Sequence, residues 1–278
     1  MSAPVSDTTA LRLAWLKDTV RPARVLGKAL RAFFWLALLG HAALVLIVLV
    51  ASLFLLKGNP PTTALMLYRR LTTHETVHPT RFVPLRQIPP VFRNMVVRLE
   101  DMHFYQHHGV DLGALRDAWN INAAIGRTVV GGSTIPMQLA RNLFLTPRKT
   151  YFRKYLESLI AVEMSLILSK ARLLELYLND IEWGKGIFGI GAGSYSSYGT
   201  AVANLSLDQM RRLAAIITNP LRYTVSTYSQ SRQMEERYQY LVTRFPDPAA
   251  EPVEEGPVAP VPDEAQKPPS APSPSSTP

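Results

Sequence analysis

Apolar and polar positions divide the chain into three unlike regions. From Ala32 to Leu56, 25 residues (AFFWLALLGHAALVLIVLVASLFLL) contain no Asp, Glu, Lys or Arg, and His41 is their only ionisable side chain. A hydrocarbon core of about 30 Å takes roughly 20 helical residues, so this run crosses a bilayer with some tilt. A cleavable leader has a shorter apolar stretch and a small-residue cleavage site, so the segment predicts an uncleaved anchor. A single neutral imidazole in such a run is more commonly tolerated than functional.

From roughly Pro60 to Phe245 the period is mostly helical. PPVFRNMVVRLED opens on prolines, which suit a first helical turn. LGALRDAWNINAAIG repeats apolar residues at spacings of three and four and stops near Gly126. STIPMQLARNLFL starts with hydroxyl residues suited to an N-cap, and Pro136 falls in its first turn. The longest pattern, YFRKYLESLIAVEMSLILSKARLLELYLN, predicts one helix from about Arg153 to Asn179 with an apolar face throughout. SLDQMRRLAAIITN predicts another, stopped by Pro220. Alternating strand-like runs are nearly absent and no internal repeat occurs. The expectation is a mainly α domain with glycine-rich connecting loops.

The third region, Pro246 to Pro278, holds 11 prolines and six acids (Asp247, Glu251, Glu254, Glu255, Asp263, Glu264) against one base, Lys267. Nothing in it could build a core, which predicts a disordered, partly polyproline II tail. The predicted organisation is a basic segment 1–31, a transmembrane helix 32–56, a folded domain 60–245 and the acidic tail 246–278.

Charge sharpens this picture. The chain carries +9, of which the tail contributes −5, so residues 1–245 carry +14. A basic body beside a membrane favours an anionic partner: lipid headgroups, a phosphorylated substrate or nucleic acid, and the anchor argues against nucleic acid. Arg12, Lys17, Arg21, Arg24, Lys28 and Arg31 precede the span against only Asp7 and Asp18. Positive flanks stay cytoplasmic, so the N-terminus is expected inside and everything after Lys57 outside, although Lys57, Arg69 and Arg70 soften the bias. The absence of cysteine excludes a disulfide framework and cysteine metal sites.

Candidate chemistry gathers in the loops between helices. In RLEDMHFYQHHGVD (98–111), Glu100 and Asp101 close a helix. Taken alone, the pair reads as a solvated helix end. Gly131-Gly132-Ser133-Thr134 taken alone is a turn and N-cap. Arg148, Lys149, Arg153 and Lys154 crowd the entry to the long helix, and Arg153 with Glu157 forms an i,i+4 pair worth a few tenths of a kcal/mol.

Taken together and in order, EDxxFxxHxGxD, GGSTIxxQLxxN, RKxxE and ExYLN resemble the peptidoglycan glycosyltransferases of family 51. The matching residues are Glu100, Asp101, Phe104, His107, Gly109 and Asp111, then Gly132 to Ile135, Gln138, Leu139 and Asn142, then Arg153, Lys154 and Glu157. Lys170, Glu175 and Tyr177-Leu178-Asn179 continue the likeness, which covers about residues 80–225. One span followed by this domain resembles the monofunctional biosynthetic transglycosylases, and no SxxK, the mark of an attached transpeptidase, occurs.

The resemblance implies a lysozyme-like helical domain that polymerises lipid II, by inverting transfer from a polyprenyl-pyrophosphate donor to the incoming sugar's 4-hydroxyl. It makes Glu100 the general base. Glu157 becomes a second catalytic acid that organises the pyrophosphate, with or without a divalent cation (Mg or Mn), or steadies the oxocarbenium-like centre. Arg141, Lys149, Arg153 and Lys154 are then the phosphate ligands, and Ser133 and Gln138 line the sugar sites. Asp101, Thr134 and Asn142 join the substrate-binding set, with Phe104 and His107 in support. The implied partners are lipid II, the nascent glycan strand and membrane lipid, with other cell-wall proteins recruited through the tail. The implied location is the bacterial inner (cytoplasmic) membrane.

Some positions depart from the common family pattern: Pro136, Met137, Arg141, Gly191, Ser197-Tyr198 and Gln209. Two other readings stand beside this one. A lytic transglycosylase or lysozyme-type enzyme shares a related fold and a catalytic Glu, and a non-catalytic, membrane-tethered lipid II-binding scaffold needs no base at all.

Overall fold

The computed structural model describes residues 8–73, 76–77, 81–127, 130–148 and 150–248, with side chains from residue 25 onward. Residues 1–7 of the basic segment, and all of the expected tail after Pro248, lie outside the described residues.

The first helix, α1 (Thr8–Leu55), begins well before the apolar run and passes through the basic segment without a break. Its membrane-competent part is Val25–Leu55, 31 residues. At 1.5 Å per residue this is about 46 Å, longer than a hydrocarbon core. The surplus has a partner within the chain. Ala37, His41, Leu44, Val48, Ser52 and Leu55 recur at three and four and are buried or half-buried, whereas Phe33, Phe34, Leu39 and Phe54 point outward. That narrow stripe packs along a later helix, α6 (Tyr151–Ile167). Arg172 caps the end of α1, donating from Nε to the Leu55 carbonyl (2.8 Å) and from Nη2 to the Gly58 carbonyl (2.5 Å).

The remaining elements are short helices. α2 (Ala64–Tyr68) runs into a π-turn at Arg69–Thr73. Then come α3 (Pro90–Glu100), α4 (Leu112–Ile125), α5 (Ile135–Phe144), α6 and α7 (Lys170–Asp180). A two-stranded antiparallel hairpin, β1 (Glu182–Gly184) and β2 (Ile187–Phe188), pairs Glu182 with Phe188. α8 (Ile190–Tyr198), α9 (Leu207–Ile216) and α10 (Arg232–Arg244) complete the domain. Polar side chains start the helices: Asp111 accepts from the Ala114 amide (2.9 Å), and Thr150 from that of Arg153 (3.1 Å). The architecture is mainly α, as the periodicity predicts.

One expectation needs correction. The predicted helix from Arg153 to Asn179 is two helices. Leu168 turns to extended backbone (φ −96°, ψ 138°), and the Ser169 hydroxyl caps α7 by accepting from the Arg172 amide (3.2 Å). Leu168 is itself buried, so the apolar period runs on across the break and conceals it. α9 ends at Ile216, four residues before Pro220, whose missing N–H could not bond to the Ile216 carbonyl. α8 and α10 are additions that the sequence patterns above did not single out.

α5 lies at the centre, packed on α6 and α7. Ile135 and Leu139 meet a core containing Phe92, Met95, Ile160, Met164 and Leu173, all fully buried. Close approach of the loop after α3 to α6 depends on Gly109 (φ +95°), where a Cβ would stand 2.5 Å from the Ala161 carbonyl oxygen. Departures from the family pattern also find packing roles. Met137 is fully buried core, and Gln209 closes a capping box with Ser206 at the start of α9. At Gly191 a Cβ would come within 2.3 Å of the Arg81 carbonyl oxygen, so this packing has no room for a side chain there.

Asp180, at the end of α7, is buried, and its Oδ2 has no hydrogen-bond partner among the described residues. Burial pushes its pKa up to about 8, against the opposing pull of Arg172. The native state therefore keeps a proton that the unfolded chain releases near its ordinary value of 3.8. Stability should fall as pH rises from about 4 to 8, by up to roughly 1.4 kcal/mol per pH unit. Asp180→Asn should flatten that slope in denaturation curves recorded in detergent from acid to neutral pH.

Candidate active site

The site is built around a joint between α3 and α5. Asp101 leaves the α3 helix (φ −162°, ψ 78°) and turns its carboxylate inward. Oδ2 accepts from the Ile135 amide (2.9 Å), and both oxygens meet Nε2 of His107 (2.9 and 3.0 Å). Burial raises the Asp101 pKa, and the His107 and Ile135 donors oppose the rise. Lys170, at the start of α7, donates to the His107 carbonyl (2.5 Å) and stands 4.6 Å from the centre of the buried Phe104 ring. Thr134 caps α5 by accepting from the Met137 amide (3.3 Å) and donates to the Gly109 carbonyl (2.5 Å). Asp101 and Thr134, expected among the substrate contacts, thus turn their side chains to the chain itself. Phe104 and His107 occupy the supporting positions expected of them.

That joint fixes the preceding residue, Glu100. Its Oε2 accepts from Nε2 of Gln138 (3.0 Å) on α5, whose own Oε1 accepts from the buried Tyr177 hydroxyl (3.3 Å). Its Oε1 accepts from the Thr218 hydroxyl (3.3 Å) and from Arg237 of α10. Arg237 is in turn held by donation from Nε to the Ala215 carbonyl (3.1 Å). Burial, with the nearby Glu100 charge, holds the Tyr177 phenol well above its ordinary range.

Beside Glu100 stands a group of cations. Arg141 comes from α5, and Arg153 and Lys154 from the first turn of α6. Burial lowers the Arg141 pKa, with Tyr177 and Glu100 pulling it back up. Arg153 is lowered by burial and then by Arg141. Lys154 is pushed down to about 8 by burial and by the charges of Arg141 and Arg153. Beneath them Glu157 is completely buried, paired with Arg153 and accepting from Lys154 Nζ (3.1 Å). Lys154 also donates to the Ser133 hydroxyl (2.5 Å), which ties the start of α6 to the loop that enters α5. Three part-buried cations, with Arg141 pressing on the other two, form a place where an added anion is stabilised.

Glu100 lines one of two cavities, and two of its hydrogen-bond partners line the other. One, of about 520 Å³, is lined by Gln138, Arg141, Asn142, Arg153 and Thr218, among others. The other, of about 330 Å³, is lined by Glu100 itself with Gly132 and Ser133. Gln138 and Thr218 face the larger cavity while hydrogen-bonding to the carboxylate that borders the smaller one.

Of the residues expected from sequence, Glu100, Ser133, Gln138, Arg141, Asn142, Arg153, Lys154 and Glu157 come together here. Lys149 lies outside the described residues. Among the described residues no group of three or more His, Asp or Glu could hold a metal, and Arg153 and Lys154 meet the Glu157 carboxylate.

The sequence motifs omit three groups that complete the walls. Arg237 sits on a helix that carried no motif, and Thr218 lies just past the end of α9. The Arg69–Glu182 pair (2.8 Å), on the wall of the larger cavity, joins a residue upstream of the matched stretch to the hairpin. Only the three-dimensional return of α10 onto α3 reveals Arg237.

Comparison with known proteins matches most of the folded domain. A family model described as "Transglycosylase" matches residues 69–245, so it includes Arg69 and Arg237. A biosynthetic peptidoglycan transglycosylase of Nitrosomonas eutropha is 39% identical over 191 residues, covering 67% of this chain and 78% of the relative. One from Azoarcus sp. is 40% identical over 204 residues, covering 72% and 87%. A third, from Laribacter hongkongensis, is 41% identical over 170 residues, covering 60% and 75%. The chain belongs to the transglycosylase family.

Proposed function

We propose that this protein is a peptidoglycan glycosyltransferase that polymerises lipid II at the outer face of the bacterial inner membrane. The observation that carries the reading is the placing of Glu100. It is a carboxylate on the wall of one cavity, fixed by Arg237 and by Gln138 and Thr218 of the other, next to the Arg141, Arg153 and Lys154 cluster.

In the proposed step, Glu100 takes the proton of the acceptor's 4-hydroxyl as that oxygen attacks the donor's anomeric carbon. The new C–O bond forms as the bond to the polyprenyl pyrophosphate breaks, and the configuration inverts. Attack and departure on opposite faces require the base and the leaving-group site to flank the reacting carbon, a layout shared with inverting glycosidases. Charge growing on the leaving pyrophosphate is met by Arg141, Arg153 and Lys154, whose own repulsion eases as the anion arrives. Lys149 belongs to the same group in this proposal. Glu157 then serves by holding Arg153 and Lys154 in position. Ser133 and Gln138 face the sugars.

The basic N-terminal segment stays in the cytoplasm, and α1 holds the domain in the plane of its lipid-borne substrate. A lytic enzyme, which cuts uncharged glycan, would have no use for three crowded cations.

The deciding assay offers purified full-length protein lipid II and, separately, polymeric glycan. Glu100→Gln should cut polymerisation by about 10²- to 10⁴-fold, and Glu157→Gln should weaken substrate binding more than turnover. Undiminished polymerisation by Glu100→Gln would remove the proposed base. Binding of lipid II without extension by the wild type would favour the scaffold, and cleavage of polymer the lytic enzyme.

Proton linkage gives a second test. Protonated Lys154 stabilises a bound anion, and that form is lost as pH rises through about 8. KM for lipid II should climb above pH 8, by up to about tenfold per pH unit, while Lys154→Arg moves the climb to higher pH.

A further inference from the structure

α3 carries arginines that the cation cluster beside Glu100 does not use. Arg98 lines the cavity of about 330 Å³ together with Glu100, and it also lines a further cavity of about 290 Å³. That further cavity lies between α3 and the end of α10. Asn94, Val97 and Arg98 line it from one side, and Arg244 and Phe245 from the other. Asn94, the i,i+4 neighbour of Arg98, lines in addition a small cavity of about 230 Å³ that contains Arg93. Among the described residues Arg93, Arg98 and Arg244 make no ion pair or side-chain hydrogen bond, and Nε of Arg93 is buried without a partner. Each guanidinium has five donors and cannot shed its charge, so this surface is rich in unmet donors.

We infer that Arg98 and Arg244 hold the carboxylate of the peptide borne by the acceptor, an inference that rests on the lipid II substrate proposed above. Lipid II carries a short peptide on its sugars, and a peptide ends in a carboxylate. Charge divides the two cavities that Arg98 lines. The one shared with Glu100 also has Asp111 and Asp117 in its wall, which suit sugar hydroxyls and repel another carboxylate. The one shared with Arg244 has no Asp or Glu in its wall among the described residues. Two guanidinium forks there match the planar geometry of a carboxylate, and Met102 and Phe245 offer apolar contact to the peptide. Reach is sufficient. Glu100 and Asn94 are about 9 Å apart along the helix, and three extended residues span about 10 Å. Arg98 and Arg244 are then specificity-determining residues, outside the chemistry itself.

Full-length protein in nanodiscs, carrying Glu100→Gln so that turnover plays no part, is photolabelled with lipid II bearing a diazirine on its last peptide residue. Labels should map to residues 94–102 and 241–245, and Arg244→Glu should lower them about fivefold. With active protein, kcat/KM for lipid II with a free peptide carboxylate should exceed that for the amidated form by about fivefold, chiefly through KM. Arg98→Gln combined with Arg244→Gln should bring that ratio to one, and Arg98→Lys with Arg244→Lys should restore most of it. Arg244 is exposed, so Arg244→Glu makes the same test without disturbing packing and should reverse the preference. Labelling elsewhere would overturn the inference, as would a retained ratio or an equal loss with both substrates in the double Gln variant. Labels that excess phosphatidylglycerol removes as well as unlabelled lipid II does would overturn it in favour of an anionic-lipid site. Failure of the wild type to polymerise either lipid II would count against the proposed activity instead, because the labelling pattern does not depend on catalysis.

Discussion

One buried carboxylate holds the catalytic half of the domain in register. Asp101 ends α3, receives the first amide of α5 and grips His107, whose carbonyl is taken by Lys170 at the start of α7. Three chain segments therefore share one charge in a place with little water. Removing either side would leave an uncompensated buried group, a loss larger than a surface ion pair can cause. Because Glu100 is the preceding residue, the position of the candidate base follows from this joint.

The opposite wall works by crowding. Burial opposes the charge of Arg141, Arg153 and Lys154, Arg141 weighs further on the other two and Arg153 on Lys154, while a single buried carboxylate, Glu157, keeps Arg153 and Lys154 from separating. Such an arrangement is preorganised and unsaturated at once. An incoming polyanion finds donors already turned toward it and relieves repulsion that folding has stored.

The motif-bearing residues were legible because their chemistry depends on residue type at short spacing. The Thr134 N-cap was legible for the same reason. The break at Leu168-Ser169 was not, since a buried leucine keeps the apolar period intact while the backbone leaves the helix. α8 was obscured by its glycines, and α10 by a polar sequence whose buried side chains are Met234 and Leu241. Arg237 escaped because its significance is a contact with a residue 137 positions away. No local pattern records such a contact.

The union of α1 with the domain carries a mechanical consequence. Arg172 locks the helix end, and the stripe from Ala37 to Leu55 leaves no flexible stalk between anchor and cleft. A helix that changes tilt to match a thinner or thicker bilayer must swing the whole domain with it. Membrane thickness thereby becomes a mechanical input to the angle at which the cleft addresses the surface.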